Sequence, residues 1–400
     1  MKNMNQVITG LAVSTCLVAQ SLLAAIEPAS MPLGPVAFTP TINIQTGYDD
    51  NILNASNNEI DSIKTIITPN FQIVAEDGLN AYRLQYALSK GIFHSSSDDN
   101  YLDHKLSFDA HLEFNARNAL DVNASISKNH DDRGTGITET GSIGAGTIAP
   151  LEYNIKSIAS TYTYGSDSAT GRLVLSGKYD DKEYQNFRTI TQQRDNTLTT
   201  LSAVFYYRIQ PKTSMVFEIR NQNVDYTTDT AISLDSSTQR YYVGATWEGT
   251  AKTTGTIKLG HVNKDFDSDA RSDFSGKSWE ADIKWEPRTY STFNLKTSQS
   301  EKESSGTGDL IDSKTARINW THDWNDQLQT IAGLGYTRDN YRGDTAGRKD
   351  NTKDARVQFN YDLRRWLSFG LSYSLQDTDS NIAGIPFDRN IVLLSVTGSL

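Results

Sequence analysis

From residue 38 onward, apolar side chains recur at every second position. The clearest run is Leu102, His104, Leu106, Phe108, Ala110, Leu112 and Phe114, with Asp103, Lys105, Ser107, Asp109, His111 and Glu113 filling the gaps. Successive side chains of a β-strand point to opposite faces, so this segment carries one oily face and one wet face. The same alternation appears in Tyr82, Leu84, Tyr86 and Leu88, in Leu120, Val122, Ala124 and Ile126, and in Leu201, Ala203, Phe205, Tyr207 and Ile209. It returns in Tyr241 to Trp247, Trp279 to Trp285, Ala355 to Tyr361 and Leu367 to Leu375. No helical stripe of four turns occurs after residue 37.

The alternating runs predict eighteen strands, near 38–48, 62–75, 79–93, 100–115, 118–130, 150–164, 170–182, 195–209, 213–226, 237–248, 253–265, 275–286, 290–300, 312–324, 327–340, 353–362, 366–377 and 387–399. Many exceed the five or six residues usual in a soluble strand. They match the roughly 9 to 11 residues that a tilted strand needs to cross a bilayer. The connections alternate too: 49–61, 94–99, 131–149, 183–194, 227–236, 266–274, 301–311, 341–352 and 378–386 are long and polar, and those between them are tight turns such as Glu76-Asp77-Gly78 and Asn325-Asp326. Segregation of loop length by parity is the mark of an outer-membrane barrel. The expectation is therefore an all-β fold, a single transmembrane antiparallel up-and-down β-barrel of about 18 strands (16 being the alternative), with both termini periplasmic.

Composition by itself points elsewhere. At 37% hydrophobic, 22% charged and a net charge of −10, the 400 residues look soluble. No apolar run after the first 25 residues reaches the ~20 needed for a helical span. That start reads as a secretory signal: Lys2, then an apolar stretch from Ile8 to Val18, then Ala24-Ala25. The implied organisation is a signal peptide over 1–25, a short periplasmic leader over 26–37 and the barrel over 38–400. The one cysteine, Cys16, falls in the signal, so the mature chain is expected to fold without disulfides. Trp247, Trp285, Trp324 and Trp366 near short turns, and Tyr48, Tyr179, Tyr226 and Tyr341 near long loops, are expected to form two interfacial girdles.

The wet face supplies the candidate chemistry. Alternation turns Arg83, Lys105, Lys128, Arg172, Lys178, Arg208, Arg220, Arg240, Lys258, Lys284, Arg317 and Arg356 inward, with Asp103, Asp109, Glu113, Glu218, Glu248, Glu280 and Asp282. Charges intolerable against lipid are at home in a water-filled lumen. Bases outnumber acids in this set while the long loops are acid-rich, so a somewhat basic lumen suited to anionic solutes is expected. A barrel of this size leaves an aqueous channel. The glycine-rich connection from Gly134 to Gly146 reads as a surface loop, with inward folding as a constriction the alternative.

Catalytic patterns are missing where they were sought. Asp265, Asp267 and Asp269 open like a calcium loop, but Ala270 stands at the turn glycine and Gly276 at the bidentate Glu. Gly276-Lys277-Ser278 lacks the upstream glycine of a phosphate loop, and no Gly-x-Ser-x-Gly elbow exists. No enzyme activity, cofactor, metal or nucleic acid is expected.

Gly47-Tyr48-Asp49-Asp50-Asn51-Ile52, Thr68-Pro69-Asn70-Phe71, Leu84-Gln85-Tyr86 and Asn129-His130-Asp131-Asp132-Arg133-Gly134 together resemble the outer-membrane β-barrel proteins found with exopolysaccharide and capsule export systems of Gram-negative bacteria. The resemblance covers essentially the whole mature chain. It implies an outer-membrane conduit for a secreted polysaccharide, set among lipid and lipopolysaccharide, inserted by the barrel-assembly machinery and working with a periplasmic export protein. The end, Ser395 to Leu400, departs from common outer-membrane practice by closing on Leu instead of an aromatic. A small-solute diffusion porin, or a surface adhesion barrel acting through its loops, is the alternative that the residues leave open.

Overall fold

A computed structural model describes residues 30–399 apart from 251, 305 and 307. The inferred signal peptide lies outside the described residues. The strands are β1 (Met31–Leu33), β2 (Val36–Asp49), β3 (Ser62–Asp77), β4 (Asn80–Phe93), β5 (Tyr101–Asn115), β6 (Asn118–Asp131), β7 (Leu151–Tyr164), β8 (Gly171–Tyr184), β9 (Asn196–Gln210) and β10 (Thr213–Tyr226). They continue as β11 (Ser236–Thr250), β12 (Thr253–Phe266), β13 (Phe274–Arg288), β14 (Ser291–Glu303), β15 (Leu310–Asp323), β16 (Leu328–Arg342), β17 (Lys349–Arg364), β18 (Leu367–Ser380) and β19 (Phe387–Ser399). Every predicted strand is present.

Each strand from β2 to β19 pairs antiparallel with its sequence neighbour, and β19 returns to β2, so eighteen strands close on themselves. Closure removes every sheet edge, which is what allows a β-structure to stand in a solvent without hydrogen-bond partners. Part of the inferred leader is structured: Met31↔Phe38, Pro32↔Ala37 and Leu33↔Val36 make β1 a short hairpin arm on β2. Fourteen residues at about 3.3 Å each, tilted by about 40°, rise roughly 35 Å, more than the apolar band of about 25 Å on such barrels. The strands thus project beyond the hydrocarbon.

Burial is inverted relative to a soluble protein. Exposed side chains include Ile42, Ile44, Leu84, Leu106, Phe108, Ile126, Phe205, Leu259, Leu334 and Leu394, while Asp49, Ser62, Lys264, Asp312, Ser313 and Asn360 are buried. A continuous apolar exterior around a polar interior is stable only if lipid covers it.

The aromatic expectation needs one correction. Trp285, Trp324, Trp366, Tyr48 and Tyr179 are exposed on the outer surface, and at the short-turn end Trp285, Phe293, Trp320, His322 and Trp324 form a chain of ring contacts between 4.4 and 6.4 Å. Tyr226 and Tyr341, however, have inward parity. Tyr341 lies under the Arg348 guanidinium at 4.1 Å. At the strand ends, beyond the bilayer, the interior offers aromatic rings a cationic partner that lipid does not.

Candidate functional site: the lumen and its mouth

Side-chain direction in the wall is checked by which strands a contact bridges. Arg220 on β10 donates to Glu218 Oε1 (2.8 Å) and to Glu280 Oε1 on β13 (2.9 Å). Lys258 on β12 lies 2.7 Å from Glu218 and 2.5 Å from Glu280. Contacts that skip two intervening strands are possible only across the concave inner surface. The same holds for Arg240 on β11, which reaches Glu301 on β14 at 2.8 Å.

Most inward cations are neutralised locally. Arg83 pairs with Asp109 at 3.0 Å, Arg172 with Asp167 at 2.7 Å, Lys178 with Asp180 at 2.7 Å, Lys284 with Glu286 at 2.9 Å and Arg317 with Asp354 at 2.8 Å. Arg208 caps the carbonyls of Asp167 and Ser168 in a short turn, and Arg356 donates to Gln358 Oε1 at 2.6 Å. Lys105 and Glu113 share the inward parity of Asp109; Asp103 faces His130 at 3.0 Å. Lys128 departs from the expected set: its cross-strand partner is His104 on the apolar face, and it pairs with Glu152 at 2.9 Å on the outside. In β6 the apolar positions are Leu120, Val122, Ala124 and Ile126, and Lys128 continues that face beyond the bilayer. The paired charges leave little of the net positive field that counting bases suggested: the balancing carboxylates come from the same strand (Asp180, Glu286), from a short turn (Asp167) or from other strands (Asp109, Asp354).

The mouth at the long-loop end departs furthest from the sequence reading. Residues 132–150 fold inward. Ile137 (5% exposed) packs with Leu151, Tyr153 and Tyr184, and Ile155 and Phe187 flank it. Leu151, Tyr153 and Ile155 are apolar residues on the face of β7 that is wet elsewhere, and this local reversal is the sequence signal that could have placed the loop. Burial of one such side chain stabilises by about 1.5–3 kcal/mol.

Polar contacts extend the anchorage across the barrel. Arg133 grips Asp99 with Nε–Oδ1 at 2.6 Å and Nη2–Oδ2 at 2.5 Å. Asp132 receives His130 Nε2 at 3.1 Å; burial opposes its ionisation, but the His130 hydrogen bond and the Arg389 and Lys64 charges hold its carboxyl below the usual range. Gly134 has φ +77°, and a Cβ there would collide with the Leu53 carbonyl, so only glycine fits. Glu139 takes a bidentate pair from Arg348 at 2.7 and 2.9 Å, and Arg348 also holds Asp350 at 2.6 Å. Arg348 precedes β17, seven strands from β6 one way round and nine from β7 to β16 the other. The loop therefore spans nearly the full diameter. The surface-loop expectation is corrected: apolar burial and this bidentate pair hold the segment across the mouth.

A second segment enters from the opposite wall. The β13–β14 ladder runs only from Glu280↔Ser298 to Arg288↔Ser291, leaving the upper half of β14 free of it. Ser278 Oγ, 2.7 Å from the Tyr242 hydroxyl, donates instead to the Gln299 carbonyl at 3.1 Å, and Gln299 Nε2 donates to buried Asp312 at 2.7 Å. Hence the β14–β15 hairpin end leans over the inner faces of β11 and β12. Gly306 comes close to Ser142 of the first segment: a Cβ built on it would lie 3.2 Å from Ser142 Oγ.

The first of the stretches that carry the family resemblance, Gly47 to Ile52, welds this same end. Asp49, fully buried, joins Lys64 on β3 (2.7 Å) to Arg389 on β19 (2.7 Å). Asp50 receives the Asn390 backbone and side chain at 2.6 and 2.8 Å, Asn51 donates to the Asp388 carbonyl at 3.0 Å, and a Cβ on Gly47 would strike the Val392 carbonyl. Among the described residues no group of three His, Cys, Asp or Glu side chains is placed to hold a metal ion.

Solved structures similar to this chain include outer-membrane proteins. The crystal structure of Pseudomonas aeruginosa OpdK with vanillate superposes with a TM-score of 0.52 at 14% identity, covering 91% of this chain and 99% of that one. A BenF-like porin from Pseudomonas fluorescens Pf-5 gives 0.50 at 12% identity, with 91% and 99% covered. Pseudomonas aeruginosa OccK2 (OpdF) gives 0.50 at 11% identity, with 91% and 98% covered. At these identities the likeness concerns the fold. No curated protein matches this chain. The family model described as "Putative beta-barrel porin 2" matches residues 24–400, and the chain, an outer-membrane-type β-barrel, belongs to that porin family.

Proposed function

We propose that the barrel stands in the outer membrane with its long loops outside and both termini in the periplasm, and that it is a diffusion channel for small solutes. The observation that carries this reading is the mouth. A lumen wide enough to be aqueous at eighteen strands is narrowed by residues 132–150 and by the β14–β15 hairpin end, which approach each other at Ser142 and Gly306. A passage built that way sorts by size and charge while remaining wet. The inward residues named above then line the solute path, with Lys105, Arg208 and Arg356 the cations of that set that have no carboxylate partner among the described contacts. OpdK, an outer membrane protein whose structure was solved with vanillate, shares this fold, which supports a small-molecule cargo. Liposome swelling tests it: monosaccharides and small organic anions should enter quickly and oligosaccharides of increasing length progressively more slowly. Equal rates for all sizes, or no swelling, would sink it.

Polysaccharide export, the role implied by the sequence resemblance, needs a wider passage. It becomes the better reading if both inward segments swing clear when a periplasmic export partner docks, which long oligosaccharide uptake in the partner's presence would reveal.

A further inference from the structure

The hairpin end places its own carboxylates on a cluster of cations. Glu301 Oε2 receives Arg240 Nε at 3.2 Å and Nη2 at 2.8 Å. Two residues on, Glu303 Oε1 receives Lys264 Nζ at 2.5 Å, and Lys264 also donates to Ser236 Oγ at 2.8 Å. Arg271 lies 3.6 Å from Asp309 and donates to the carbonyls of Asp309 and Leu234. Arg194 donates to the Ser304 carbonyl at 3.1 Å. These cations belong to β11, β12 and the loops after β8 and β12; the acceptors named belong to the hairpin end apart from Leu234 and Ser236, and Arg240 also donates to Gln222 Oε1 on β10 at 3.1 Å. The barrel wall thus supplies the bases, and a segment that beyond Ser298 leaves the β13 ladder and keeps only its pairing with β15 supplies the acids.

Two further observations mark the pairing as exchangeable. Glu301 is almost wholly buried, yet its Oε1 has no hydrogen-bond partner among the described residues. A buried acceptor left unmade loses the compensation that burying a charge requires. The hairpin end also has no continuous β13 ladder to hold it in place.

We infer that Arg240 and Lys264, backed by Arg271 and Arg194, form a binding site for a solute bearing two carboxylates, and that Glu301 and Glu303 occupy it in its absence. The inference rests on the channel reading and names the solute class. Alternate residues of a strand lie about 6.6 Å apart, so a flexible dicarboxylate with four methylenes between its acid groups reproduces the span. Binding exchanges one anion pair for another, and the displaced hairpin end moves off the mouth.

Two measurements with adipate test this, with neutral adipamide as control. In planar bilayers, adipate should lengthen the open periods of the wild-type channel. Glu301→Gln with Glu303→Gln should lengthen them without adipate by at least ~10-fold, a factor equal to about 1.4 kcal/mol, and leave adipate without further effect. Independently of conduction, Ser142→Cys with Gly306→Cys, where Ser142 Cβ lies 3.5 Å from a Cβ built on Gly306, should form a disulfide that adipate slows and adipamide does not. Arg240→Ala should abolish that protection, with gel mobility of the unheated barrel checking that the variant is folded. If adipate leaves cross-linking unchanged, or adipamide protects equally, the inference fails. If no variant conducts but adipate still slows cross-linking, the site stands and the channel reading falls.

Discussion

The two ends of this barrel obey different rules. At the short-turn end the ladders run to the turns, most aromatic rings face outward, with Tyr206 under Arg172 an inward exception, and each side chain's surroundings follow from its parity. At the long-loop end, apolar residues turn inward at Leu151, Tyr153 and Ile155, Tyr226 and Tyr341 also face the interior, one ladder stops at Glu280↔Ser298, and the buried Arg240–Glu301 pair links strands that are not neighbours. The difference follows from solvent. Within the hydrocarbon every backbone group must be paired in the wall and the outer face must be apolar. Beyond it water relaxes both demands, and the strands become free to organise a mouth.

The largest expected effect comes from removing what distinguishes the upper end. Replacing residues 136–146 by a short glycine-serine linker should raise single-channel conductance severalfold and leave the barrel's resistance to heat nearly unchanged, because that segment fills the mouth without belonging to the wall. Equal conductance would mean that the constriction lies elsewhere.

Asp49→Asn attacks the weld between the first and last long strands. It strands Lys64 and Arg389 beside each other in a buried site, a loss of about 3–5 kcal/mol when one partner of such a pair is removed. The temperature at which the folded barrel converts to the slow-migrating form on a gel should fall clearly. A matched pair of changes then probes the wall: Leu106→Arg on the lipid face should cost roughly 2–4 kcal/mol if it lies near the bilayer midplane, whereas Ser125→Lys on the lumen face should alter ion selectivity with little change in denaturant resistance. Similar destabilisation by both would contradict the assigned faces.

The smallest effect is pH-dependent. Because the Asp132 carboxyl is held below its usual range, its contribution to loop anchorage is complete above the unfolded value of about 3.9 and is lost as pH falls through the lower folded value. Protease nicking in residues 132–150 should therefore stay flat from pH 7 to about 4 and rise only in stronger acid, with Asp132→Asn showing the acid behaviour at neutral pH. A rise already at pH 6 would assign the anchorage to another group.

How much was legible depends on the range of the interaction. The alternation around Leu106 fixes strand, face and solvent within fifteen residues, so the strands, their number and the inward direction of Arg220 or Glu280 could be read directly. The identity of the partner could not: nothing near Arg240 announces Glu301, 61 positions on, and nothing near Glu139 announces Arg348, 209 positions on. The family-like stretch Gly47 to Ile52 was visible as a pattern, but its work as the seam with β19 depends on contacts some 340 residues apart.

The amino-acid sequence by itself determined the barrel, because period-two amphipathicity and the parity of loop lengths are local properties that only a closed antiparallel sheet in lipid satisfies. Tertiary structure alone decided the mouth. Which loop enters, where a ladder yields to a side chain and which charges cancel are settled by the closure of eighteen strands, which brings opposite walls within reach of one another.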